Sequence, residues 1–222
     1  RDQPQEETPE GVKAAKKRAE EKESAVWAET LREIGPPPRD KAWITVCDRG
    51  SDFFDFIEHA ANTGWGYVVR AKHNRNVVVH GKKSKLFDWI RAQGGKSEQE
   101  IWLRARKGKS SREAVLQLTW GETEIIDPTK SNSTLKVNVL RVHNKEEELE
   151  WIILTNLTIE TGEEACRIVE MYRRRWLIEE YHKALKRGCG AEKAHRAQET
   201  RRNSLKVVNG RGGHKQLHTA YT

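Results

Sequence analysis

Apolar positions change their period along the chain, and each change predicts an element. From residue 10 to 34 they recur at helical spacing, through Val12, Ala15, Trp27, Leu31 and Ile34, in an otherwise charged stretch. Gly35-Pro36-Pro37-Pro38 then withdraws backbone donors and fixes φ, which ends a helix. AWITVC follows as an apolar run of strand length, closed by Asp48-Arg49-Gly50. SDFFDFIEHAAN reads as a helix with Asp52 and Asp55 near its positive N-terminal end, and Thr63-Gly64 closes it. GYVVRAKH reads as the next strand. Strand, helix and strand in this order predict parallel pairing.

From about residue 74 to 155 the texture changes. EIWLRARK, REAVLQLTW, GETEIID, LKVNVLRVH and WIILTN alternate or run apolar at strand length. Basic or Gly-containing turns such as KGKSS, and the acidic KEEELE, separate them. This predicts an antiparallel β meander inserted into an α/β framework. Gly162 to about Arg187 then reads as one long helix, stopped by Gly188, Cys189 and Gly190. The expected organisation is a charged helix over 1–35, core parts over 36–73 and 156–192, the insertion over 74–155, and a basic, disordered tail over 193–222.

The long helix carries an unusual face. Tyr172, Arg175, Glu179 and Lys186 lie within roughly 60° of one another at about 100° per residue. The same face continues upstream as Ala165, Ile168 and Val169, which read as core-facing. One stripe therefore begins apolar and ends ionisable, with Trp176 on its flank.

Composition narrows the partners. The 222 residues carry a net charge of +8, and the pI is about 9.4, which points to a polyanion. Residues 193–222 hold seven Lys or Arg against one acid, Glu199. Cys47, Cys166 and Cys189 show neither metal-ligand spacing nor a disulfide framework, which fits a reducing compartment. The sequence contains no signal peptide and no apolar run of about 18 residues, so no membrane partner is expected. It begins with Arg, consistent with processing, cutting or membership of something longer.

Two acids stand out. Asp48 follows a strand of a strand–helix–strand unit, where α/β sheets place ligand-binding groups, although an Asp there also serves as a cap or turn former. Glu179 lies on a packing face, where a carboxylate needs a partner or a metal. Its plainer reading is an exposed i,i+4 pair with Arg175, worth a few tenths of a kcal/mol. Trp151 also reads as a sheet-core residue, and Arg70 and Lys72, two apart, as one solvated strand face.

The spacing Y-x-x-R-x-x-x-E-x-x-x-x-x-x-K, set by Tyr172, Arg175, Glu179 and Lys186, resembles the signature of bacterial DDE transposases of the Tn-five (insertion-sequence-four) group. VCDRGSD around Asp48 resembles the segment bearing that family's second catalytic Asp. YVVRAKH, EWIILTN and EEYHKALKRGCGAEK resemble its next strand, the last strand of its insertion and its helix end. The similarity runs from about residue 20 to 193. It implies a partial ribonuclease H-like core, α/β in class, with an inserted antiparallel β meander. It also implies DNA cleavage and strand transfer at transposon ends by two-metal phosphoryl transfer, with Mg²⁺ as cofactor and Mn²⁺ as its substitute. Asp48 and Glu179 would be the catalytic, metal-binding acids. Tyr172, Arg175, Lys186, Arg70 and Lys72 would contact DNA, and Trp151 would stack on a flipped base. His182 and Lys183 would be secondary contacts. Transposon ends and target DNA would be the partners, a homodimer the assembly of the intact family, and the bacterial cytoplasm and nucleoid the location.

The family's first Asp, on an early strand, has no counterpart here. Asp2 lies in a polar stretch, and Asp40 is only eight residues before Asp48. The sequence after about 200 also departs from the family's helical continuation. A truncated or frame-altered copy, inactive alone, is the expectation. The alternatives are a non-catalytic basic DNA-binding remnant and another ribonuclease H-like nuclease.

Overall fold

The computed structural model describes residues 26–103, 110–130 and 133–188. Residues 10–25 of the first expected helix, the turn at 107–109, the Lys186 side chain and the tail over 193–222 lie outside that description. The chain divides into two compact units, Arg1–Arg175 and Trp176–Thr222.

The first unit is built on one sheet. Its strands are β1 (Ile44–Cys47), β2 (Gly66–Arg70), β3 (Asn76–Val79), β4 (Lys82–Lys85), β5 (Ser97–Leu103), β6 (Arg112–Ile126), β7 (Thr134–Asn144) and β8 (Leu149–Thr155). They run in the order β1-β2-β8-β7-β6-β3-β4, with β5 also paired to β6. β1 and β2 are parallel, as the strand–helix–strand reading expects, and every other pairing is antiparallel. The meander is therefore continuous with the parallel strands, because β8 returns to pair with β2.

Helices cover both faces. α1 (26–34), α2 (Phe54–Asn62) and α3 (Leu86–Ala92) lie on one side. Leu31, Phe56, Ile57, Leu86 and Ile90 there join Tyr67, Val69, Ile152 and Leu154 in one core. On the other side α4 (Gly162–Arg174) buries Ala165, Ile168, Val169 and Tyr172 against Val68, Leu140 and Ile153. Those helix positions recur at i, i+3, i+4 and i+7, the stripe a packed helix presents. Thr161 and Glu164 form a reciprocal capping box that fixes where α4 begins.

Several expectations are corrected. REAVLQLTW and GETEIID form one 15-residue strand, β6, and Gly121 sits inside it. A β-carbon there would come within 3.1 Å of the Trp89 indole, so the glycine makes room for α3 instead of a turn. NVVVHGKKSK forms the β3–β4 hairpin, and LFDWIRA the helix α3, both inside a region read as plain meander. β2 ends at Arg70, so Lys72 belongs to the following loop and does not share a strand face with it.

The long helix is also divided. α4 stops at Arg174 and α5 (Trp176–Gly188) starts after Arg175. Arg175 keeps right-handed helical angles, but its N–H donates to the Tyr172 carbonyl three residues back, at 3.2 Å. That tight closure replaces the i→i−4 ladder. Tyr172 and Arg175 therefore belong to the first unit, and Glu179 and Lys186 to the second.

Candidate nucleic-acid interface at the carboxyl end of β1 and β2

Asp48 is the first residue beyond β1. Its backbone is extended, and its Oδ1 accepts from the Gly50 N–H at 2.8 Å, capping the 3-10 turn Arg49–Ser51. The turn-former reading of Asp48 is therefore correct for this oxygen. The other oxygen, Oδ2, stands 3.9 Å from Nη1 of Arg175. The Asp48 side chain is half-exposed, whereas that of Arg175 is 19% exposed. A mostly buried guanidinium thus meets a half-exposed carboxylate at the strand end.

Arg175 also lies over the Tyr172 ring, 5.9 Å from its centroid. Tyr172 is buried and its ring packs against Trp151, with centroids 5.3 Å apart and planes at 59°. Such a tilted pair suits the quadrupoles of both rings. Trp151 sits near the start of β8 and is partly buried against the core beneath α4. This supports the sheet-core reading of Trp151 without enclosing the ring. At the end of β2, Arg70 donates from Nη2 to the Glu150 carbonyl at 3.0 Å. The first unit thus brings Asp48, Arg70, Trp151, Tyr172 and Arg175 to the carboxyl end of β1 and β2.

Asp52 lies just before α2 but does not cap it. Phe53 occupies the N-cap, without a side-chain hydrogen bond. The Asp52 carboxylate is buried and turned toward the loop after β2. Its Oδ2 accepts from the Lys72 N–H at 2.6 Å and the His73 N–H at 3.0 Å, and Oδ1 pairs with Arg75. It therefore holds the segment containing Lys72 close to the turn after Asp48. No spacing rule exposes this, because the partners lie 20 to 23 residues away.

Glu150 is a second missed organiser. The sequence presented it as part of an acidic turn, yet it pairs with Arg91 and with Arg141, the latter at 2.8 Å. The Arg91 hydrogen bond, with Arg141 behind it, pulls the Glu150 carboxyl down to about 2 against the cost of partial burial. The cluster braces the residue next to Trp151.

In the second unit, α5 carries Glu179 in its first turn, partly buried. Lys183 is 3.0 Å from Glu180 and lies over the Trp176 ring at 5.4 Å. His182 is exposed and faces the Tyr181 ring at 6.0 Å. Lys183 and His182 are therefore engaged with neighbours on their own helix.

Divalent ions such as Mg²⁺ ask for several converging oxygen ligands. Among the described residues no three of His, Cys, Asp or Glu form a metal-holding group. At Asp48 one oxygen is committed to Gly50 and a guanidinium stands beside the other. The oxygen chemistry suits a hard cation, but these described residues do not by themselves make its site. No helix among the described residues is long and apolar enough to cross a membrane.

A mixed, mostly antiparallel sheet with helices on both faces, and an acid and arginines gathered at its parallel end, define an α/β domain with a charged cluster at the strand ends. The transposase DDE domain family matches residues 8–209, most of the chain. The chain belongs to that family, and its architecture is consistent with a ribonuclease H-like transposase domain. Membership implies a DNA substrate and a role in transposition.

Proposed function

We propose that this chain grips transposon-end DNA at the carboxyl end of β1 and β2. The observation that carries the reading is Arg175, which stands between Asp48 and the Tyr172–Trp151 ring pair. A guanidinium has a planar fork that matches phosphate oxygens, and Tyr172 fixes its direction. A DNA phosphate drawn to Arg175 would lie beside the Asp48 carboxylate. Arg70 and Lys72 extend the cationic surface from the end of β2, and Trp151 offers a ring for an extruded base. On α5 of the second unit, this reading assigns Glu179 as an acid of the centre, Lys186 as a DNA contact, and His182 and Lys183 as secondary contacts.

Asp48 and Glu179 are the metal-facing acids of this reading, with Mg²⁺ or Mn²⁺ as the ion. Such an ion would activate the attacking water or hydroxyl and stabilise the leaving oxygen. Arg175 occupies the approach to Asp48, and a cation at 3.9 Å competes with a divalent ion for that carboxylate. We therefore propose that these 222 residues alone bind DNA ends without cutting them. The assembly and the bacterial nucleoid location carried by the family resemblance belong to the same proposal.

The deciding experiment compares binding to transposon-end and scrambled duplexes across salt concentrations. Preference for the end, lost in Arg175→Ala, supports the reading. Equal salt-sensitive binding to both, unchanged in Arg175→Ala, replaces it with a basic remnant acting through charge alone.

A further inference from the structure

A cavity of about 520 Å³ opens between the turn that follows β1 and the β3–β4 hairpin. It lies outside the cluster around Asp48 and Arg175. Its cationic wall is Lys83 and Lys85 of β4 with Arg75 from the loop after β2, and His73 of the same loop lines it as well. Its apolar wall includes Phe53 and Pro128. The size falls within the usual range for a ligand pocket of about 300–1,000 Å³.

The charges in this cavity are not equivalent. Two acids line it, Asp52 and Asp127, and both are already engaged. Asp52 takes the Lys72 and His73 N–H groups and pairs with Arg75. Asp127 Oδ1 accepts from the Thr129 N–H and hydroxyl, each at 2.7 Å, and from the Lys130 N–H at 3.2 Å. Lys83 and Lys85 are exposed. No described carboxylate lies within ion-pair reach of either lysine. They are two residues apart on one strand, so both side chains leave the same side of β4. The tight turn at His80 and Gly81, both with positive φ, sets the hairpin register that places them there.

We propose that this cavity is a second DNA-backbone site, which takes a phosphodiester on Lys83 and Lys85 and the adjoining deoxyribose against Phe53 and Pro128. It rests on the DNA-binding reading above and extends it to a second point on the strand. The site reads no base, so its contribution is independent of sequence. Asp52 links it physically to the interface, since it lies on the cavity wall four residues after Asp48 and anchors the loop that supplies His73 and Arg75.

The test uses the full chain, fluorescence anisotropy, and labelled transposon-end and scrambled duplexes over a salt series. Lys83→Gln with Lys85→Gln is compared with a charge-matched control, Lys41→Gln with Lys82→Gln. Lys82 leaves the opposite side of β4. Melting temperature confirms folding in each. Losing this phosphate contact should reduce the magnitude of the slope of log K against log salt by roughly 0.9. Affinity should fall about tenfold, equally for both duplexes, with little change in the control. Equal behaviour of the two double variants, while Arg175→Ala still weakens end binding, overturns this site and spares the interface. Failure of the unaltered chain to bind either duplex overturns both.

Discussion

At the residue scale, Arg175 and Glu150 do different work with the same chemistry. Arg175 is mostly buried, with the Asp48 carboxylate beside its guanidinium and the Tyr172 ring beneath it. Arg175→Ala should weaken end-DNA binding by about tenfold, the scale of one good phosphate or base contact at 1–3 kcal/mol. Arg175→Lys should recover only part of this, because it keeps the charge and loses the fork. Full recovery in titrations with end DNA would show that charge alone matters there. Glu150 is held ionised by Arg91 and Arg141, with its carboxyl lowered from an ordinary 4.5 to about 2. A depressed acid stabilises the fold above its unfolded value and loses that contribution as pH falls through the folded one. The melting temperature of the parent should therefore exceed that of Glu150→Gln by a constant margin above pH 5. The margin should shrink between pH 4.5 and 2. A margin unchanged at pH 3 would show that the ion cluster contributes nothing.

At the element scale, what the sequence reveals depends on how local the cause is. The stripe Ala165, Ile168, Val169 and Tyr172 is a matter of period, and α4 packs on it as expected. The parallel pair β1–β2 follows from one strand–helix–strand unit. Gly121 was misleading because its reason lies elsewhere: it is Trp89, on a helix 32 residues earlier in the numbering, that needs the space. The division at Arg175 was hidden because the residues around it are all competent helix formers, and only a backbone bond to Tyr172 marks it. The interface was legible in residue types and less so in support, since Asp52 and Glu150 act through distant partners. Gly121→Val tests this distinction. It should destabilise the protein by about 1–3 kcal/mol through overpacking on Trp89. Adding Trp89→Phe, which shortens the ring system, should return part of the loss, read by denaturant midpoint. Independent, additive effects would separate the glycine from the tryptophan.

At the scale of the whole molecule, the question is whether gripping DNA and cutting it are carried by the same set of residues. Gripping needs cations and rings at fixed positions, and one unit supplies Arg70, Tyr172, Trp151 and Arg175 around a common strand end. Cutting needs several carboxylates converging on metal, and here a guanidinium adjoins the best-placed acid. The two activities should therefore separate in solution. End DNA incubated with these 222 residues and Mg²⁺ or Mn²⁺ should be bound and remain intact on a denaturing gel. Arg175→Ala should release the DNA without creating nicks. Nicking that requires metal and disappears in Glu179→Ala and Asp48→Asn would show instead that the two acids complete a working centre. In that case Arg175 must turn away from Asp48 when a phosphate arrives, and Arg175→Ala should slow cutting more than it weakens binding.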